Sequence, residues 1–83
     1  MGDPSTKQRV RAFIESNFYI ADKSLLSDDV SLLDKGLVDS TGILEIVAFL
    51  ESDFDIKVED QELIPDNLDS IDRITAFIGR KQG

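Results

Sequence analysis

The sequence predicts an all-α, four-helix bundle of three main helices and one short one, folded as a single domain over residues 1–83. Three observations carry that prediction. Apolar residues recur at helical spacing in three separate stretches. No stretch alternates apolar and polar residues for long enough to commit a strand. A chain of 83 residues buries only about 60 to 65% of its unfolded surface, enough for one core and not for two.

The first helix is read from Val10, Phe13, Ile14 and Phe18, spaced i, i+3, i+4 and i+8. It begins near residue 4 or 5, because Asp3 can cap with Pro4 at N1, or Ser5 and Gln8 can form a capping box. It ends between Asn17 and Tyr19. Roughly twenty residues follow before the next strong helix, and a loop of that length is either packed down or functional. Leu25, Leu26, Val30, Leu32, Leu33 and Leu37 are the expected anchors, with a turn at Gly36.

The second helix runs from Ser40 to Asp53, with Ile43, Ile46, Val47 and Leu50 on one face and Phe54 just beyond. Its opposite stripe, Thr41, Leu44, Glu45, Ala48 and Ser52, is small or polar except for Leu44, the one apolar residue expected to face water. Asp55-Ile56-Lys57-Val58-Glu59 alternates over too few residues and reads as an extended loop. Pro65 breaks the chain, and Asp66 to Asp69 make a single short helical turn. Ser70 then caps a last helix carrying Ile71, Ile74, Phe77 and Ile78. Residues 1–3 and 81–83 are expected to fray.

Composition narrows function. The chain has no cysteine and no histidine, so it lacks a thiolate nucleophile, the usual general base and the commonest metal ligand. A self-contained catalyst is not expected. The absence of cysteine fits a reducing, cytoplasmic setting. No apolar run approaches the roughly 18 residues of a spanning helix, and Met1-Gly2-Asp3-Pro4-Ser5 is neither a secretory signal nor a good acylation start.

Charge is uneven. Asp28 to Asp72 holds fourteen acids against Lys35 and Lys57, a net of −12, whereas the two ends together carry +4. Such a field repels phosphate backbones and anionic lipid, so nucleic acid and membranes are not expected partners, and basic protein surfaces are. The acids of residues 53–62 lack the Asp-x-Asp-x-Asp-Gly pattern of a calcium loop, and no metal ligand set is expected.

The informative stretch is Gly36-Leu37-Val38-Asp39-Ser40-Thr41-Gly42-Ile43-Leu44-Glu45, where a long loop delivers a serine to the first turn of a helix. With no histidine to activate it, Ser40 is not expected to act as a catalytic nucleophile. As an acceptor of a phosphate ester it is well placed, because first-turn N–H groups and the helix dipole favour negative charge there.

Gly36-Leu37-Val38-Asp39-Ser40, together with Leu33, Leu44-Glu45, Leu50-Glu51, Phe54 and Ile56, resembles the acyl carrier protein family, which includes aminoacyl and peptidyl carrier domains. The resemblance covers nearly the whole chain. It implies that Ser40, flanked by Asp39 and Thr41, carries a 4′-phosphopantetheine arm added from coenzyme A by a phosphopantetheinyl transferase. The arm's thiol would be the acyl-bearing group that a chain without cysteine lacks. It also implies further partners: ligases that load acyl or aminoacyl groups, and acyl-transfer enzymes with basic docking surfaces. These would meet Leu44, Glu45, Ala48, Glu51 and Ser52 on a monomer. Fatty acid, polyketide and nonribosomal peptide synthesis are all open as pathways.

Two positions depart from the family pattern. Thr41 stands where leucine is usual, and Gly42 where a bulkier residue is common, at a helix cost of about 1 kcal/mol relative to alanine. The other reading of the chain is an unmodified acidic helical module that binds a basic protein, with Asp39 or Ser40 serving only as an N-cap.

Overall fold

Helices α1 (Pro4–Asn17), α2 (Ser40–Phe54), α3 (Pro65–Leu68) and α4 (Ile71–Gln82) pack around one core. The computed structural model describes residues 4–18, 20 and 23–82. Among these there is no strand. Two short 3-10 turns, Lys23–Leu25 and Asp60–Glu62, punctuate the loops. No described helix is long and apolar enough to cross a membrane.

Helix α1 opens on Pro4, whose fixed φ and missing N–H suit a first turn. The two caps expected from sequence, Asp3 and the Ser5 side chain, lie outside the described residues, as does Tyr19. Val10 and Ile14 are fully buried, and Phe13 and Phe18 pack partly against the core. In α2 the row Ile46, Leu50 and Phe54 is buried, at i, i+4 and i+8. Ile43 and Val47, expected beside them, are only half-buried because they flank that row. Asp55 ends the helix in the left-handed conformation, which aspartate tolerates better than most residues.

Helix α4 starts as expected, with Ser70 Oγ accepting the Arg73 N–H at 3.1 Å. Ile71, Ile74, Phe77 and Ile78 are buried. Thr75 is buried with them, its hydroxyl satisfied by the Ile71 carbonyl at 2.8 Å. The fraying expected after residue 80 does not occur up to Gln82, because Lys81 is tied to Glu62 at 2.9 Å.

The long loop is packed down, though by fewer anchors than the sequence suggests. Leu26, Leu32 and Val38 are buried, whereas Leu25 and Leu33 are exposed. Neighbouring leucines in an irregular segment cannot all point inward. Gly36 turns the chain at φ 68°, where a side chain would be strained. Asp69 pins the loop to the α3–α4 junction: its carbonyl accepts the Leu32 N–H at 2.8 Å, and its carboxylate accepts from the Leu33 N–H at 2.9 Å and from the Ser31 hydroxyl.

The basic ends fold onto the acidic middle. Lys7 meets Asp72 at 2.7 Å and Asp28 at 3.5 Å, Arg9 meets Asp53 at 3.3 Å, and Arg73 meets Asp66 at 3.3 Å. Arg11 clasps both Asp28 and the Leu26 carbonyl. The Arg11 hydrogen bond, aided by the Lys7 ammonium, holds the Asp28 carboxyl below the usual carboxylate range. Hydrogen bonding to Asp72 and the charge of Asp28 push the Lys7 ammonium up. The acidic middle is thus partly neutralised, and such exposed pairs add little stability.

Candidate functional site

Asp39 has extended backbone angles, φ −100° and ψ −177°, and its Oδ1 accepts the Gly42 N–H at 2.7 Å. Asp39 is therefore the N-cap of α2, and Ser40 is the first helical residue. That division of labour matters for Ser40. Its side chain is exposed, and no hydrogen bond engages its hydroxyl among the described residues. The hydroxyl lies at the positive end of a 15-residue helix.

What fixes this turn is close packing at Gly42, two residues on. A Cβ there would stand 2.7 Å from Phe18 Cε1 and 2.8 Å from Val38 Cγ1. Only glycine lets the ring and the valine close against the helix backbone. The glycine that looks like a weak helix residue in sequence is thus the floor on which the loop's end is seated. Phe18 in turn meets Phe13 edge to face at 6.2 Å, and Phe13 stacks on Phe49 at 4.2 Å.

Beside Ser40 opens an apolar cleft of about 250 Å³. Ile43 and Leu44 line it from α2, and Leu33 from the loop. Its far wall is Leu63, Ile64, Pro65 and Leu68, with Asp69 at one end. Leu44 and Ile64 are 59% and 43% exposed, so the mouth of the cleft is apolar as well as its floor.

No family model matches the chain. A curated acyl carrier protein from Akkermansia muciniphila is 31% identical to it over 83 residues, covering 100% of both chains. The chain belongs to the acyl carrier protein family. It is accordingly a carrier that works with enzymes and not an enzyme itself. That role requires no catalytic base, which accounts for a chain without histidine or cysteine.

In this carrier the residues singled out from sequence fall in different places. Leu44 joins Ser40 in the cleft. Glu45, Ala48 and Ser52 instead line a shallow groove between α1 and α2, floored by the stacked rings of Phe13 and Phe49. Thr41 is exposed. Glu51 is half-buried, and its Oε2 accepts the Val58 N–H at 2.9 Å, so this carboxylate ties the following loop to α2. The exposed side of α2 is a ridge between two depressions, with only the cleft side reaching Ser40.

Sequence reasoning missed Phe49 and the wall from Leu63 to Leu68. Phe49 lies off the stripe that marks the core face of α2. The wall meets Ser40 only through tertiary placement. Its apolar residues, interrupted by Pro65, were the available signal.

Proposed function

We propose that the chain carries acyl or aminoacyl groups as thioesters on a 4′-phosphopantetheine arm attached to Ser40 Oγ, and presents them in the cytoplasm to enzymes with basic docking surfaces. The observation that carries this reading is the unengaged, exposed Ser40 hydroxyl at the start of α2, beside an apolar cleft. When attached, the arm supplies a terminal thiol that holds the carried group.

The chain's own residues have simpler tasks. Asp39 caps the helix and so leaves Ser40 free to be esterified. The first turn's positive end favours the single negative charge of the phosphodiester that such an attachment brings. Ile43, Leu44, Ile64 and Leu68 offer an apolar group a place out of water. Glu45, with no ion pair among the described residues, is the free charge on the α2 ridge for a basic partner. Arm attachment is tested by incubating the purified protein with coenzyme A and a broad-specificity phosphopantetheinyl transferase, then reading the intact mass.

A further inference from the structure

The outer wall of the cleft, residues 63–68, is anchored unevenly. Leu68 is fully buried, but Leu63 is only half-buried, and Ile64 and Pro65 are exposed. The short helix α3 packs on α4. Polar ties do the rest. Lys81 Nζ lies 2.9 Å from Glu62 Oε1, and Arg80 donates to Asn67 Oδ1 at 2.8 Å. Asn67 Nδ2 closes the circuit by donating to the Glu62 carbonyl at 3.0 Å. The wall is therefore gripped near both ends by two consecutive residues in the last turn of α4.

Lys81 and Glu62 keep only 25% and 26% of their side-chain exposure, against 54% and 85% for Arg73 and Asp66, which pair α4 with α3. The first pair is therefore the less screened by solvent and salt. The same Glu62 oxygen accepts the Glu59 N–H at 2.9 Å. That backbone bond, with the Lys81 ammonium, holds the Glu62 carboxyl below its usual range, so it stays charged at neutral pH.

We propose that Lys81 and Arg80 form a latch that holds the cleft's outer wall in place through Glu62 and Asn67, and thereby set the size of the apolar group that the cleft can shelter. The proposal rests on the carrier reading above. An apolar cavity of about 150 Å³ takes a benzene molecule. By proportion, 250 Å³ has room for about ten carbons. A longer chain needs the cleft to widen. The α2 side cannot retreat, because Ile46, Leu50 and Phe54 are buried in the core behind it. The wall must move, and moving it strains the ties to α4. Burial of each further methylene then has to outweigh loss of the latch, which produces a cut-off in chain length.

The test compares wild type with Lys81→Met, which keeps the apolar stem near Phe77, and Glu62→Gln, which keeps an acceptor for the Glu59 N–H. Arg73→Met is the control that removes the more exposed tie to the same wall, the one from Arg73 to the Asp66 carboxylate and carbonyl. In the unmodified proteins, amide hydrogen exchange at residues 63–68 should run about fivefold faster in the first two variants, with α1 unchanged. The four proteins are then loaded by a transferase from octanoyl- and hexadecanoyl-coenzyme A, and thioester cleavage by hydroxylamine is timed. Wild type and Arg73→Met should protect the octanoyl thioester and expose the hexadecanoyl one. Lys81→Met and Glu62→Gln should cleave the hexadecanoyl thioester about fivefold more slowly than wild type. Normal loading with the same exchange rates and chain-length profile in all four proteins overturns the latch alone, as does an equal shift in Arg73→Met. A wild-type chain that gains no mass overturns the carrier reading, and the latch with it.

Discussion

The ring of Phe18 occupies the space that a side chain at position 42 would need, with Cε1 only 2.7 Å from where a Cβ on Gly42 would stand. Helix propensity alone predicts that Gly42→Ala stabilises α2 by about 1 kcal/mol. Packing predicts the opposite, because the new methyl meets both Phe18 and Val38, and overpacking of this kind costs about 1 to 3 kcal/mol. The variant should lose stability in urea denaturation, and Phe18→Leu should recover part of the loss. A more stable Gly42→Ala would mean that the ring is easily displaced.

Asp39 and Ser40 should separate cleanly. Asp39→Ala removes the acceptor for the Gly42 N–H and should cost about 1 kcal/mol. Ser40→Ala removes a hydroxyl with no partner among the described residues, so its thermal unfolding by circular dichroism should match wild type. Equal losses in the two variants would assign Ser40 to the cap.

The pH dependence follows from the α1–loop clasp. Arg11 and Lys7 hold the Asp28 carboxyl low. Its contribution is therefore present above the ordinary carboxylate value and lost as pH falls through the depressed one. Lys7 is raised, so its contribution is present below the ordinary lysine value and lost as pH rises through the elevated one. Asp28→Asn should flatten the loss of melting temperature below about pH 4, and Lys7→Met the loss above about pH 10. Unchanged pH profiles would mean that the clasp does not persist in solution.

The two glutamates of α2 should behave differently, although sequence treats them alike. Glu45→Lys should leave stability unchanged and slow arm transfer mainly through the association rate, with the difference shrinking at high salt. Glu51→Gln should act on stability instead, by about 1 kcal/mol, because Glu51 Oε2 accepts the Val58 N–H. Transferase kinetics over a salt series, with melting curves for both variants, distinguish the two roles. A stability loss in Glu45→Lys equal to that in Glu51→Gln would contradict the assignment.

The three long helices were legible in sequence because each has an uninterrupted period and a recognisable start, at Pro4, Asp39 or Ser70. Leu44 was correctly expected to be exposed for the same reason. Inside the long loop there is no period to read, so Leu25 and Leu33 could not be told from Leu26 and Leu32. Ser40 was legible from its local context, whereas its cleft was not, since Leu33, Leu44 and Leu68 meet there from distant parts of the chain. The pairing of Lys7, Arg9 and Lys81 with the acidic middle is likewise a product of tertiary packing. Gly42 shows the limit most plainly: sequence gives its helix cost, and only the position of Phe18 gives its purpose.

The central claim is that Ser40 Oγ is the attachment point of a phosphopantetheine arm, and intact mass spectrometry tests it most directly. Wild type and Ser40→Ala are each incubated with coenzyme A and a broad-specificity phosphopantetheinyl transferase, after circular dichroism has established that both are folded. Wild type should gain the mass of one phosphopantetheine group, and Ser40→Ala should gain none. A folded wild-type chain that stays unmodified, or a Ser40→Ala variant that still takes up the arm, would contradict the account.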